Sequence, residues 1–269
     1  MGHTRLGAVP KTRKWRDLVE RISGLVLDKG AIPGPLTDVD QIASWTLDAA
    51  QKGLEKAVND TGVQYTFFLL TQVALASRSS EWRATLHGLG IHLSEKGTIF
   101  DLLTEVQAAV DRQVPRGAPK GTDIGEMAQQ AAGEAISSLA GPRAETLFGT
   151  SPEDVQNAIR HFSTKKGFGE LGQRFFGGFV ARFLNFYLSR ITAGALGGAR
   201  FQQLGDVAEF NEALRAHCDQ SARIVRDFSG EWYSKTEYLE GIDRDNCNRF
   251  IAVAIQKLRS ELERQKAEQ

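Results

Sequence analysis

The sequence predicts an all-α protein: a multi-helix bundle of about eight to ten helices, in one domain or in two apposed helical lobes. Three observations point there. Apolar residues recur at intervals of three and four through most of the chain, the spacing that collects side chains on one helical face. No stretch of any length alternates polar and apolar residues, as a half-buried strand would. Helix start signals and Gly/Pro breakers punctuate the apolar stretches at helix-sized intervals. With 269 residues, 41% of them hydrophobic and 25% charged, the chain can bury a substantial core.

Trp15, Leu18, Val19, Ile22 and Val26 share one face of a first helix. After the breaker Pro33-Gly34-Pro35, Thr37 is placed to cap a second helix, with Asp38 and Asp40 in its first turn. That helix turns Val39, Ile42, Thr46, Ala50, Leu54 and Ala57 inward. Residues 62–77 are an uncharged apolar run, a central buried helix shorter than the roughly 20 apolar residues of a membrane span. Thr98 and Asp101 form a capping pair ahead of Leu102, Leu103, Val106 and Val110.

The segment 114–123, with two prolines and two glycines, is the best linker. It divides the chain into a region 1–114 with a basic arm, a linker 115–123 and a helical region 124–269. An alanine-rich helix over 123–139 is expected to stop at Gly141-Pro142. Ser151-Pro152-Glu153-Asp154 is a strong helix start: cap, proline at the first position, acids in the first turn. Val207, Phe210, Leu214, Cys218, Ala222, Val225, Phe228 and Trp232 keep one face over about seven turns. Cys247, Ile251, Ala254, Leu258 and Leu262 keep another to the C-terminus.

Charge is balanced overall but not locally. Residues 160–200 hold seven basic residues, Arg160, Lys165, Lys166, Arg174, Arg182, Arg190 and Arg200, against the single acid Glu170. Eight aromatics lie in the same stretch, Phe162, Phe168, Phe175, Phe176, Phe179, Phe183, Phe186 and Tyr187. A positive field beside large apolar side chains suits an anionic partner. A second basic stretch is the N-terminal arm, where Arg5, Lys11, Arg13, Lys14 and Arg16 precede the first acid, Asp17. Such an arm can follow nucleic-acid phosphates, with Trp15 stacking on a base, or Trp15 can anchor the first helix in the core.

Gly167, Gly169 and Gly172 spell G-x-G-x-x-G. The dinucleotide chemistry of that pattern needs a buried strand before it, and His161-Phe162-Ser163-Thr164-Lys165-Lys166 is not one. Two readings remain: amides at a helix start holding an anion, or glycines that let helices pack closely. Residues 175–199 are mostly apolar and contain small-xxx-small pairs at Gly177/Ala181 and Gly194/Gly198. Arg182 and Arg190 weigh against spanning, at roughly 2.5–3.5 kcal/mol each near a helix centre. A core helix with Arg174, Arg182 and Arg190 outward is the plainer expectation.

Chemical groupings are sparse. Of His3, His87, His92, His161 and His217, no two have a helical metal-ligand spacing, and His217 beside Cys218 points about 100° away from it. No nucleophile elbow, phosphate loop, C-x-x-C or H-E-x-x-H motif is present. Glu231, Glu237, Glu240, Asp243 and Asp245 read as a solvated turn. No catalytic residue, metal or cofactor is therefore expected. Two cysteines make no disulfide framework and suit a reducing, cytoplasmic setting. The N-terminus has neither a signal-peptide core nor the Ser or Thr that myristoylation wants at position 6.

The resulting expectation is a non-catalytic interaction protein, such as an accessory subunit of a bacterial-type cytoplasmic complex. It would engage an acidic protein face or nucleic acid through Lys165, Lys166, Arg174, Arg182, Arg190 and Arg200, helped by the N-terminal arm. The alternative is a membrane-active effector that uses the Phe-rich helix 175–199. An enzyme with an unrecognised site is a weaker third option. A protein partner or a homo-oligomer is expected, nucleic acid and peripheral membrane contact are compatible, and no transmembrane span is.

Overall fold

The computed structural model describes residues 10–23, 34–113, 122–144 and 151–267. Among these residues there are twelve α-helices, one 3-10 turn at His161–Ser163, and no strand beyond an isolated bridge between Leu196 and Phe201. The helices are α1 Arg13–Ile22, α2 Val39–Ala49, α3 Gln51–Val58, α4 Thr61–Ala76, α5 Trp82–Gly88 and α6 Ile99–Arg112. They continue as α7 Asp123–Ala144, α8 Pro152–Arg160, α9 Lys165–Gly194, α10 Leu204–Ser221, α11 Arg223–Leu239 and α12 Arg244–Ala267.

The all-α class stands, with more helices than the periodicity suggested. Two long apolar faces are each broken once. The second expected helix splits at Ala50 into α2 and α3, and the face from Val207 to Trp232 splits at Ala222 into α10 and α11. Apolar spacing survives such breaks because both pieces still face the same core. Helix starts behave as their local chemistry dictates. Thr98 with Asp101, and Ser151 with Asp154, form reciprocal capping boxes. Thr37 is a correction: its hydroxyl accepts from the Gly34 amide at 3.0 Å, and Asp38, in the left-handed region at φ 56°, stands at the cap position of α2. α7 also runs past Gly141 to Ala144, with Pro142 in its last turn, where one missing amide disturbs little.

α9 is the 30-residue axis of the bundle, and α7, α10 and α11 pack along it. α4 is apolar on all sides and sits against α6, α7 and α12, so it is buried almost completely. Its N-terminus is tied to α7. Asp60 caps Val63 at 3.1 Å and accepts from Thr122 at 2.7 Å, while Gly62 lies against Gly125. Phe67 of α4 lies at the centre, with Phe168, Phe175, Phe176, Trp232 and Phe250 around it at centroid distances of 5.3–6.1 Å. One continuous hydrophobic cluster runs from Trp15 to Leu262 and includes helices from both sides of the expected linker. Most of that linker, residues 114–121, lies outside the described residues. No helix among the described residues is long and apolar enough to cross a membrane.

Candidate anionic-partner surface

Thr164 caps the start of α9, its hydroxyl accepting from the Gly167 amide at 3.0 Å. The G-x-G-x-x-G residues therefore lie in the first turns of a helix that follows a 3-10 turn. Their environments are packed. A Cβ on Gly169 would meet the Arg226 carbonyl oxygen at 2.6 Å, and one on Gly172 would meet Ser229 Oγ at 2.4 Å. The reciprocal contact comes from Gly230, whose Cβ would lie 2.3 Å from the Lys165 carbonyl. These glycines bring α9 and α11 into backbone contact, which is the packing role.

Of the six cations expected to bind a partner from α9 and its flank, three face carboxylates of other helices, one is buried and two stay exposed. Lys165 pairs with Glu231 at 3.3 Å, and Arg174 with Asp219 at 3.1 Å. Arg182 is not on an open outward band. Its side chain is 28% exposed, and its guanidinium lies 2.5 Å from Glu134 and donates to the Gly178 carbonyl one turn back at 3.1 Å. Glu134 also receives Arg215, so one carboxylate holds two guanidinium groups. Arg200 is 4% exposed and donates to the Thr37 carbonyl at 2.7 Å, which removes it from any surface strip. Burial pulls both the Arg182 and Arg200 pKa values down from the ordinary arginine value, opposed for Arg200 by Asp38. Arg190 is exposed and lies over the Phe186 ring at 5.7 Å. Lys166 is exposed and, among the described residues, has no ion-pair partner.

The reason for this correction is spatial. The compensating acids are distant in sequence, but α7, α10 and α11 carry them onto the flanks of α9. Replacing Glu134 by alanine should therefore leave Arg182 and Arg215 facing each other without a counter-charge. We expect a loss of about 1–2 kcal/mol in a denaturant titration, below the cost at a fully buried pair because solvent reaches the site. No loss would mean that the three charges act independently.

A pocket of about 530 Å³ lies beside the start of α9. Lys165, Lys166 and Arg226 line it, but so do Glu170, Asp227 and Glu231, so it has no net preference for anions. Most of the Phe-rich face is core: Phe175, Phe176, Phe179 and Phe183 are buried, and Phe186 is partly buried.

The N-terminal basic stretch is arranged differently. Arg5 lies outside the described residues. Lys11, Arg13 and Arg16 are exposed and have no ion pair among the described residues, while Lys14 reaches Asp48 at 3.4 Å. Trp15 is buried edge-on against Tyr187 at 6.0 Å and anchors α1, so it offers no base-stacking face. Lys52 and Lys56 extend the same positive corner from α3; both line a pocket with Lys11. Their spacing of four places them on one helical face, a signal overshadowed by the apolar Leu54 and Ala57 between and beside them.

Other reactive groups are restrained. Burial pushes both Cys218 and Cys247 up to about 12, so both remain thiols near neutral pH. His161 Nε2 lies 3.0 Å from Glu170 and 3.4 Å from Arg143. Burial lowers the His217 pKa, and Asp40 opposes the shift. Among the described residues no cluster of three His, Cys, Asp or Glu side chains could hold a metal. Comparison with known proteins found no family model, no curated protein and no solved structure that matches this chain.

Proposed function

We propose that the protein is a non-catalytic interaction module that engages an anionic partner, an acidic protein face or a nucleic-acid backbone, through the basic corner formed by α1. The observation that carries this reading is the contrast between the two basic stretches. Three of the five α9 cations face carboxylates on neighbouring helices, whereas Lys11, Arg13 and Arg16, close together in sequence, all project into solvent without one. Exposed cations that are not already paired retain their full capacity to attract an anion. Because Trp15 is buried, recognition rests on charge and not on base stacking.

The test uses the full chain as bait in native host lysate, with and without nuclease. Arg13→Glu with Arg16→Glu should reduce capture of the principal partner at least about tenfold, because each lost contact also becomes a repulsion. Capture that nuclease abolishes identifies nucleic acid; capture that survives identifies an acidic protein. Unchanged capture by the double variant would remove the α1 corner from the proposal. Arg182 is unsuitable for such a test, because its reversal would break the Glu134 pair and weaken the fold itself. Binding to anionic vesicles at low salt, with Phe175 and Phe179 becoming exposed, would instead favour the membrane-active alternative.

A further inference from the structure

The corner between α1, α3 and α9 contains a pocket of about 520 Å³, in the size range of small-molecule sites. Tyr187 of α9 forms part of its lining and is 5% exposed. Its ring is held by Trp15, Phe183 and Phe186 at centroid distances of 6.0, 5.3 and 5.2 Å. Its hydroxyl oxygen lies against Gly53, where a methyl group would come within 2.5 Å of it. Glycine at 53 is thus what keeps the hydroxyl clear. Among the described residues this hydroxyl has no hydrogen-bond partner, and it is not among the sealed polar atoms of the core, so it is open to the pocket. Burial raises the Tyr187 pKa above the ordinary phenol value, so the group is a proton donor at neutral pH.

The rim supplies charge. Lys11, Lys52 and Lys56 are exposed and have no ion pair among the described residues. Of the two carboxylates on the rim, Asp48 faces Lys14 at 3.4 Å and Arg259 at 3.5 Å, whereas Glu55 accepts only from the neutral Gln51 amide at 2.9 Å and keeps its charge, so the three lysines still outnumber it. Pro10, Ala49 and Ala50 add apolar wall. The lining therefore includes three exposed lysines, a tyrosine held by its ring neighbours and an apolar side. That combination fits an anion rich in acceptor oxygens on a compact organic body.

We infer that this pocket binds a small phosphate ester, its phosphoryl group held by Lys11, Lys52 and Lys56 and one of its oxygens accepting from Tyr187. The site shares Lys11 with the α1 corner, but Arg13 and Arg16 take no part in it, so reversal of those two separates this assignment from partner capture.

Calorimetric titration of the full chain tests the assignment, with inorganic phosphate, glycerol phosphate and phenyl phosphate as probes. At least one ester should bind saturably, one per chain, and more tightly than inorganic phosphate. Preference for glycerol phosphate indicates a lipid-headgroup source, and preference for phenyl phosphate a soluble ester. Lys52→Glu with Lys56→Glu should weaken that binding more than about tenfold, since two attractions become repulsions. Tyr187→Phe should weaken it by about tenfold or more, the loss of one hydrogen bond to a charged group. Arg13→Glu with Arg16→Glu should leave it unchanged while still affecting partner capture. Absence of saturable binding by all three probes at millimolar concentration overturns the assignment. So does ester affinity that the paired lysine reversals, which lie on the surface and leave the core intact, do not alter.

Discussion

Phe67→Ala should be the most damaging single substitution, lowering unfolding free energy by about 3–5 kcal/mol. Phe67 is fully buried and touches rings from three other helices: Phe168, Phe175 and Phe176 on α9, Trp232 on α11 and Phe250 on α12. Its contact with Phe250 is stacked at 5.3 Å, and most of the others are tilted. Truncation removes apolar burial and leaves a cavity that five surrounding rings cannot fill together, because each is held by its own helix. For a chain of this size the loss corresponds to a fall in melting temperature of roughly 6–15 °C. Thermal unfolding followed by circular dichroism measures it. A fall of only 1–2 °C would mean that the five rings do not converge on this position.

The second large effect concerns Gly230, and there two tendencies oppose one another. Alanine in a helix interior is favoured over glycine by about 1 kcal/mol. The new Cβ would, however, sit 2.3 Å from the Lys165 carbonyl oxygen, and that oxygen belongs to backbone at the start of α9. Backbone cannot rotate aside as a long side chain can, so α11 must move outward. Overpacking of this kind costs about 1–3 kcal/mol and occasionally more. The steric cost wins, and Gly230→Ala should destabilise by about 1–2 kcal/mol net. Gly169→Ala should act similarly through the Arg226 carbonyl. The double variant should lose less than the two single losses combined, since one outward shift relieves both contacts. Gly133→Ala in α7 is the internal control. Its Cβ would meet only the end of the Gln107 side chain at 3.9 Å, so propensity should prevail and stability rise. Stabilisation by all three alanines would show that α9 and α11 do not touch along their glycines.

Both predictions concern α9, the element on which local pattern and spatial outcome diverge most. Its aromatic spacing signalled a buried face, and Phe175, Phe176, Phe179 and Phe183 occupy one. Its glycines carried two meanings, and the choice between them depended on what lay opposite. Only the approach of Arg226, Ser229 and Gly230 from α11 decides for packing. Its cations signalled an open positive strip, yet Glu134, Asp219 and Glu231 arrive from other helices to meet Arg182, Arg174 and Lys165. Arg200 goes further and is buried beneath the turn that contains Thr37. Formal charge counted along a segment therefore overstates the field that a partner would meet.

Helical class, the capping boxes at Thr98 and Ser151, and the buried character of α4 were all legible in the chain. Each depends on residues three or four apart, and such neighbours meet wherever the helix later docks. The breaks at Ala50 and Ala222 were not legible, because apolar spacing continues through them. Nor were the neutralisation of α9 and the pocket formed by Lys11, Gly53, Lys56 and Tyr187. Those features join side chains more than 40 residues apart. Their charge and hydrogen-bonding state is set by helix packing, a long-range arrangement that no local spacing encodes.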